Sequence, residues 1–140
     1  MSGHAVRVLL VDDFLPWREY VRTLIAERKD LSIEAEASDG LEAIEKIKEA
    51  QPELVLLDMG LPKLNGIEVL KQALVISPSI RIIVLTQENS ADFVQEAVRL
   101  GAMGYVNKAD ARTELLRAID SVLQGRRFAT GIADDKGEGG

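Results

Sequence analysis

Asp12 and Asp13 follow the apolar run VRVLLV, Asp58 follows ELVLL, Thr86 follows RIIVL, and Lys108 follows MGYVN. Such runs are the buried central strands of a parallel sheet, whose carboxyl ends open into one crevice where ligands of open α/β sheets bind. Three carboxylates, a hydroxyl and an ammonium would therefore converge from four separate segments. Two unit charges about 4 Å apart repel by about 4 kcal/mol at an effective dielectric of 20, so the acids need a cation. Oxygen-only donors, few of them from protein, point to Mg²⁺, which keeps several waters. With the ion in place, the Asp58 carboxylate can form an acyl phosphate while the metal neutralises the phosphoryl oxygens. Lys108 supplies a second cation and Thr86 a hydroxyl donor, in a transfer that asks mainly for positioning and positive charge. Gly60, just beyond Asp58, lets the backbone come close to the ion. Any one of these aspartates is also explained as a helix cap, and Lys108 as a solubilising residue; the full set of positions is not.

The elements that must position these groups are legible as apolar runs alternating five times with stretches of helical period, the βαβ signature of a parallel sheet. The first strand spans about 6–11, and the helix after it carries Trp17, Tyr20, Val21, Leu24 and Ile25 on one face. Pro16 suits its first turn, which has no use for the missing N–H. Residues 33–37 form a shorter, more polar strand, expected at the sheet edge. Asp39-Gly40 then turns into a helix with Leu41, Ile44 and Ile47, ended by Gln51-Pro52. Strand three is 54–57, followed by a loop over 61–66 and a helix with Ile67, Leu70 and Leu74 that Pro78 closes. Strand four is 82–85, ahead of Val94, Ala97 and Val98 on a helix stopping at Gly101. Tyr105 and Val106 mark strand five, and Leu115, Leu116, Ile119, Val122 and Leu123 the last helical stripe. These stripes read as core packing.

Composition narrows the function classes. The chain has 140 residues, 46% hydrophobic and 29% charged, which suits one soluble domain with a single sizeable core. No apolar run approaches the roughly 20 residues needed to cross a bilayer, and nothing at the start resembles a signal peptide. Without cysteine there are no disulfides and no thiolate metal sites, and a cytoplasmic location is expected. One histidine, His4, cannot build a His-based site. The net charge of −6 argues against this stretch binding nucleic acid by itself. Residues 127–140 lose periodicity and end in TGIADDKGEGG, which reads as a flexible tail, either a linker ahead of an output domain or in part a remnant of cloning.

The motifs VLLVDD, LVLLDMGLPKLNGIEVL, IIVLT and GAMGYVNKA, over residues 5–126, resemble the receiver domain of bacterial two-component response regulators. The closing KADARTELLRAIDSVLQGRRF looks most like receivers of the NarL/LuxR type, whose usual partner is a helix-turn-helix DNA-binding domain. The resemblance implies a flavodoxin-like (βα)5 fold, a doubly wound parallel sheet of five strands in order 2-1-3-4-5. It implies Asp58 as phosphoacceptor from a sensor histidine kinase, with Mg²⁺ bound by Asp13 directly, Asp12 through water, the Asp58 carboxylate and the Gly60 carbonyl. Thr86 and Lys108 would hold the phosphoryl group, and Tyr105 matches the aromatic switch that turns inward when the threonine moves. Such a domain assists its own phosphorylation and dephosphorylation without being an enzyme for other substrates. Phosphorylation would alter the surface over 90–124 and allow a homodimer, and DNA would be reached only through a further C-terminal domain. A stand-alone receiver working by protein contact is the alternative.

Two departures stand out. Gln87 follows the switch threonine, where the family usually has a small residue, so its side chain would crowd the entrance. Ala109 follows Lys108 where many receivers have proline, commonly cis; cis costs about 3 kcal/mol before Ala, which favours a trans loop. Glu88 would influence the hydrolytic water, and together with Gln87 it predicts a long-lived phosphoryl state. A haloacid dehalogenase-type phosphohydrolase is disfavoured because the acids after strand one are adjacent rather than Asp-x-Asp. Nucleotide binding lacks any G-x-x-x-x-G-K-[ST] or G-x-G-x-x-G, and the complete acid, Thr and Lys set argues against a phosphorylation-independent module.

Overall fold

The computed structural model describes residues 5–61, 63–87 and 91–129. Its strands are β1 (Val6–Val11), β2 (Leu31–Ala37), β3 (Leu54–Asp58), β4 (Arg81–Thr86), β5 (Gly104–Asn107) and β6 (Phe128–Ala129). Its helices are α1 (Leu15–Ala26), α2 (Gly40–Ala50), α3 (Gly66–Ile76), α4 (Ala91–Leu100) and α5 (Ala111–Leu123). All strand pairs are parallel, in the order β2-β1-β3-β4-β5-β6. The expected 2-1-3-4-5 order is present, and the polar second strand is at an edge as its sequence predicts. A sixth strand is added beyond β5, within the stretch read as flexible tail. Gly125, at φ 83, turns the chain back at the end of α5, and the Phe128 amide donates to the Met103 carbonyl at 3.1 Å.

Strand residues alternate between two cores, because successive side chains leave opposite faces of a sheet. Leu9, Val11, Val55, Leu57, Ile82, Val84 and Tyr105 pack under α2, α3 and α4. Val8, Leu10, Leu54, Leu56, Ile83, Leu85 and Val106 pack against α1 and α5. Burial on both faces explains why these strands read as continuous apolar runs. Two expected stripe residues lie elsewhere: Leu41 is 56% exposed and Tyr20 38% exposed. On α3 the fully buried positions are Val69, Leu70 and Ala73, with Ile67 and Leu74 packed at the margin.

The segment after β3 is pinned from two sides. Asn65 caps α3, its Oδ1 accepting the Glu68 amide at 2.9 Å. A Cβ on Gly66 would come 2.6 Å from Met59 Cα, and one on Gly40 would come 2.0 Å from the Leu64 carbonyl oxygen. Only glycine lets the starts of α2 and α3 press this closely on Leu64 and Met59. That fixes the backbone immediately beyond Asp58.

Candidate functional site

The carboxyl edge of the sheet delivers each polar group as expected. Asp12 and Asp13 follow β1, Asp58 ends β3, Thr86 ends β4, and Lys108 follows β5. Register pairs Thr86 with Asn107 across β4 and β5. Together with Gly60 and Gln87 these residues line a crevice of about 800 Å³. One carboxylate oxygen from each of Asp12, Asp13 and Asp58 lies within 4.8 Å of the others, a donor set able to hold a metal ion. Asp12 is 1% exposed and Asp58 7%, whereas Asp13 is open to solvent.

The acids do not face one another unscreened. Lys108 Nζ sits 2.5 Å from Asp12 Oδ2 and 3.6 Å from Asp58 Oδ1, with its side chain 11% exposed. Asp12 Oδ1 accepts the Phe14 amide at 2.8 Å, and the Asp12 carbonyl accepts from Arg18 at 2.6 Å. Asp58 Oδ1 accepts the Gly60 amide at 3.2 Å. Burial, and next the Asp12 charge, push the Asp58 carboxyl above its ordinary range; Lys108 and the Gly60 N–H oppose this, and Asp13 adds a smaller push upward. A carboxylate made more basic in this way is a better nucleophile. Sequence reasoning gave Lys108 to the phosphoryl group as a second cation; in the resting structure it already screens Asp12 and Asp58.

A Cβ at Gly60 would meet only Asp58 Oδ1, at an ordinary contact distance of 3.9 Å. Packing therefore places no demand for glycine at 60, which lines the crevice beside Asp58. Tyr105 is 1% exposed, already turned into the core, where burial raises its phenol pKa and a hydrogen bond to the Asn107 side chain opposes the rise. Gln87 is exposed on the crevice wall. Glu88, His4 and residues 130–140 lie outside the described residues. Among the described residues there is no cis peptide, so the Lys108–Ala109 bond is trans as the missing proline suggests.

Two contributions escaped sequence reasoning. Asn107 lines the crevice, and its Oδ1 accepts the Ala109 amide at 2.8 Å, starting the single 3₁₀ turn Lys108–Asp110 that carries the lysine. An Asn at a strand end just before a candidate lysine was the available signal. The second is an aromatic wall. Phe14, Trp17 and Tyr20 line the same crevice, with the Trp17 and Tyr20 centroids 5.4 Å apart and the Lys108 Nζ 4.9 Å from the Trp17 centroid. Helical period placed Trp17 and Tyr20 on the inward face but gave no hint that the first turns of α1 overhang the sheet's edge.

A doubly wound parallel sheet with acids, a threonine and a lysine gathered at its switch-point crevice defines an α/β domain of the kind whose ligands bind beyond the carboxyl ends of the strands. The chain belongs to the response regulator receiver domain family, whose model matches residues 8–120. It is 39% identical over 126 residues to a putative transcriptional regulator of Pseudomonas aeruginosa, covering 89% of this chain and 60% of that protein. It is 33% identical over 116 residues to the chemotaxis protein CheY of Thermotoga maritima, covering 83% and 96% respectively. A LuxR-family two-component response regulator from an Aurantimonas species has a similar structure, with TM-score 0.84, 36% identity and 89% of each chain covered. The chain spans 60% or less of the length of the transcriptional regulators it matches. Among the described residues no helix is long and apolar enough to cross a membrane.

Proposed function

We propose that this receiver accepts a phosphoryl group on Asp58 from a sensor histidine kinase in a Mg²⁺-dependent step, and serves as the regulatory domain of a helix-turn-helix transcription regulator in the cytoplasm. The observation that carries the reading is the meeting of the Asp12, Asp13 and Asp58 oxygens within 4.8 Å, beneath Lys108 and beside Thr86. Hard oxygen donors from a few carboxylates fit Mg²⁺. Asp12, Asp13, Asp58 and the Gly60 carbonyl are the groups that would hold it, and the bound ion would neutralise charge on the phosphoryl oxygens. An Asp58 oxygen forms the new bond to phosphorus as the donor's P–N bond breaks, its electron pair leaving on the imidazole nitrogen. Lys108 takes part of the charge the phosphoryl group brings, and the Thr86 hydroxyl donates to one of its oxygens.

Output follows from a shift between two arrangements, in which Thr86 and Lys108 move toward the phosphoryl group and alter the surface over 90–124, including one used for homodimer contact. A tenfold bias needs about 1.4 kcal/mol of differential binding. Sequence similarity to transcriptional regulators supports the DNA-linked output. Near-complete coverage of CheY, at 96% of its length, keeps a stand-alone receiver as the second reading.

Wild type and Asp58→Asn are incubated with acetyl phosphate, with and without Mg²⁺, and weighed intact in acid. One added phosphoryl group, on wild type only and with Mg²⁺ only, is the expected result. No addition to wild type, or equal addition to Asp58→Asn, overturns the reading.

A further inference from the structure

The Lys108 ammonium has neighbours of two kinds. One is carboxylate, Asp12 at 2.5 Å and Asp58 at 3.6 Å; the other is the face of Trp17, whose centroid is 4.9 Å away. A cation within about 6 Å of an aromatic centroid is attracted by the ring quadrupole, and indole offers the strongest face. The attraction counts for more where water is excluded, and the lysine side chain here is only 11% exposed.

The ring is held in place rather than merely nearby. Pro16 and the Trp17 amide bond to the Phe14 carbonyl at 3.0 Å set the first turn of α1. Tyr20 packs against the indole one turn on, and the indole also packs against the buried core under α1. The indole Nε1–H is buried and meets no acceptor among the described residues. A buried donor without a partner is costly, and leucine or phenylalanine would fill the slot without it. What the indole offers in return is its face, turned to Lys108.

We propose that Trp17 is a positioning residue for Lys108: its face helps to hold the ammonium in the resting pair with Asp12, and so sets how easily a divalent cation displaces it. The metal arm of this inference rests on the proposed Mg²⁺-dependent function; the resting arm does not. A divalent cation drawing on the Asp12 carboxylate competes with the ammonium seated on its Oδ2, and the two cations repel. Whatever stabilises the lysine in that seat more than in the metal-bound state therefore weakens metal binding, since only differential stabilisation shifts the equilibrium.

The test is a double-mutant cycle on the metal-free protein, with Trp17→Leu and Lys108→Met unfolded singly and together in urea. A coupling of roughly three- to thirtyfold in the folding constant is expected. Closure of the cycle to within about twofold, the ordinary limit of additivity, overturns the proposal. Trp17→Phe, which keeps a weaker face, is expected to restore part of the coupling, and no restoration counts against a role for the ring face.

Calorimetric titration with MgCl₂ adds the direction. Trp17→Leu is expected to bind Mg²⁺ roughly three- to thirtyfold more tightly in the wild-type background and unchanged in the Lys108→Met background; looser binding refutes the resting seat. Trp17 is the chain's only tryptophan, so fluorescence serves should Trp17→Leu fail to fold. Lys108→Met is expected to shift the metal-free emission, and identical spectra overturn the contact. A wild type that binds no Mg²⁺ counts against the proposed function, and the metal-free cycle then decides Trp17 alone.

Discussion

Lys108→Met is the sharpest test of how charge is balanced at the crevice. Methionine keeps an apolar stem of similar length and removes only the ammonium. That leaves Asp12, 1% exposed, without the cation now 2.5 Å away. Breaking a buried pair by removing one partner costs about 3–5 kcal/mol. Asp12 keeps its bond from the Phe14 amide at 2.8 Å and borders an open crevice, so the low end, about 3 kcal/mol, applies. For a domain of this size that lowers the melting midpoint by on the order of 10 °C. Mg²⁺ binding should move the opposite way. A divalent ion held by these carboxylates would be repelled by the ammonium, by on the order of 1–2 kcal/mol even at the dielectric of bulk water for a contact of a few ångströms. Removing it tightens Mg²⁺ binding by about tenfold or more. Melting curves in chelator and in graded MgCl₂ measure both effects on one sample. The variant should start lower than wild type and gain more from the metal. A variant as stable as wild type in chelator, or one that binds Mg²⁺ more weakly, would refute this account of the resting site.

Asp58→Asn is expected to melt higher than wild type in chelator at neutral pH. The fold raises the Asp58 pKa, so its contribution to stability is fully present below the ordinary value of 3.8 and is lost as pH rises through the raised one; the advantage of asparagine should vanish below about pH 4, and an advantage that grows toward acid would reverse the sign. Gly66→Ala forces a Cβ to 2.6 Å from Met59 Cα; a loss of about 1–3 kcal/mol is expected, with weaker Mg²⁺ binding as residues 59–60 shift, and a change below about 0.5 kcal/mol in urea would show that the approach is not tight. Asp13→Ala should lose Mg²⁺ affinity yet raise the metal-free midpoint slightly, since Asp13 is exposed and adds the smallest push on Asp58; a drop in chelator contradicts it. Gln87 on the crevice wall predicts an Asp58 phosphate that outlasts seconds, and decay within seconds by intact mass removes that reading.

Most of the fold was legible because burial on both faces leaves an unmistakable trace. Val8–Val11 and Leu54–Leu57 are uninterrupted apolar runs, and a carboxylate after each can only lie at the sheet's edge. The site residues were legible for the same reason, as polar breaks at the ends of buried runs. What escaped depends on distances between elements that local sequence does not encode. Period 3.6 put Tyr20 on the same face as Val21 and Ile25, but the start of α1 overhangs the edge of β1, so Tyr20 faces the crevice and is 38% exposed. Lys108 was read as a partner for phosphate; that it rests on Asp12 depends on which groups meet across β1 and β5. Phe128–Ala129 is too short to show any period, and only its partners on β5 make it a strand.

That short strand changes the geography of the molecule. Helix α5 runs against the strands and ends at the pole opposite the crevice. A chain released there would carry anything fused to it away from the acids. Because β6 runs parallel to β5, with Ala129 level with Tyr105 and two residues short of Asn107, it climbs back toward the rim. A fluorophore, tag or fused protein joined at Ala129 would thus start beside Tyr105 on the flank of β5, not at the pole where α5 ends. Spacer length after Ala129 becomes a design variable for any sensor built on this domain.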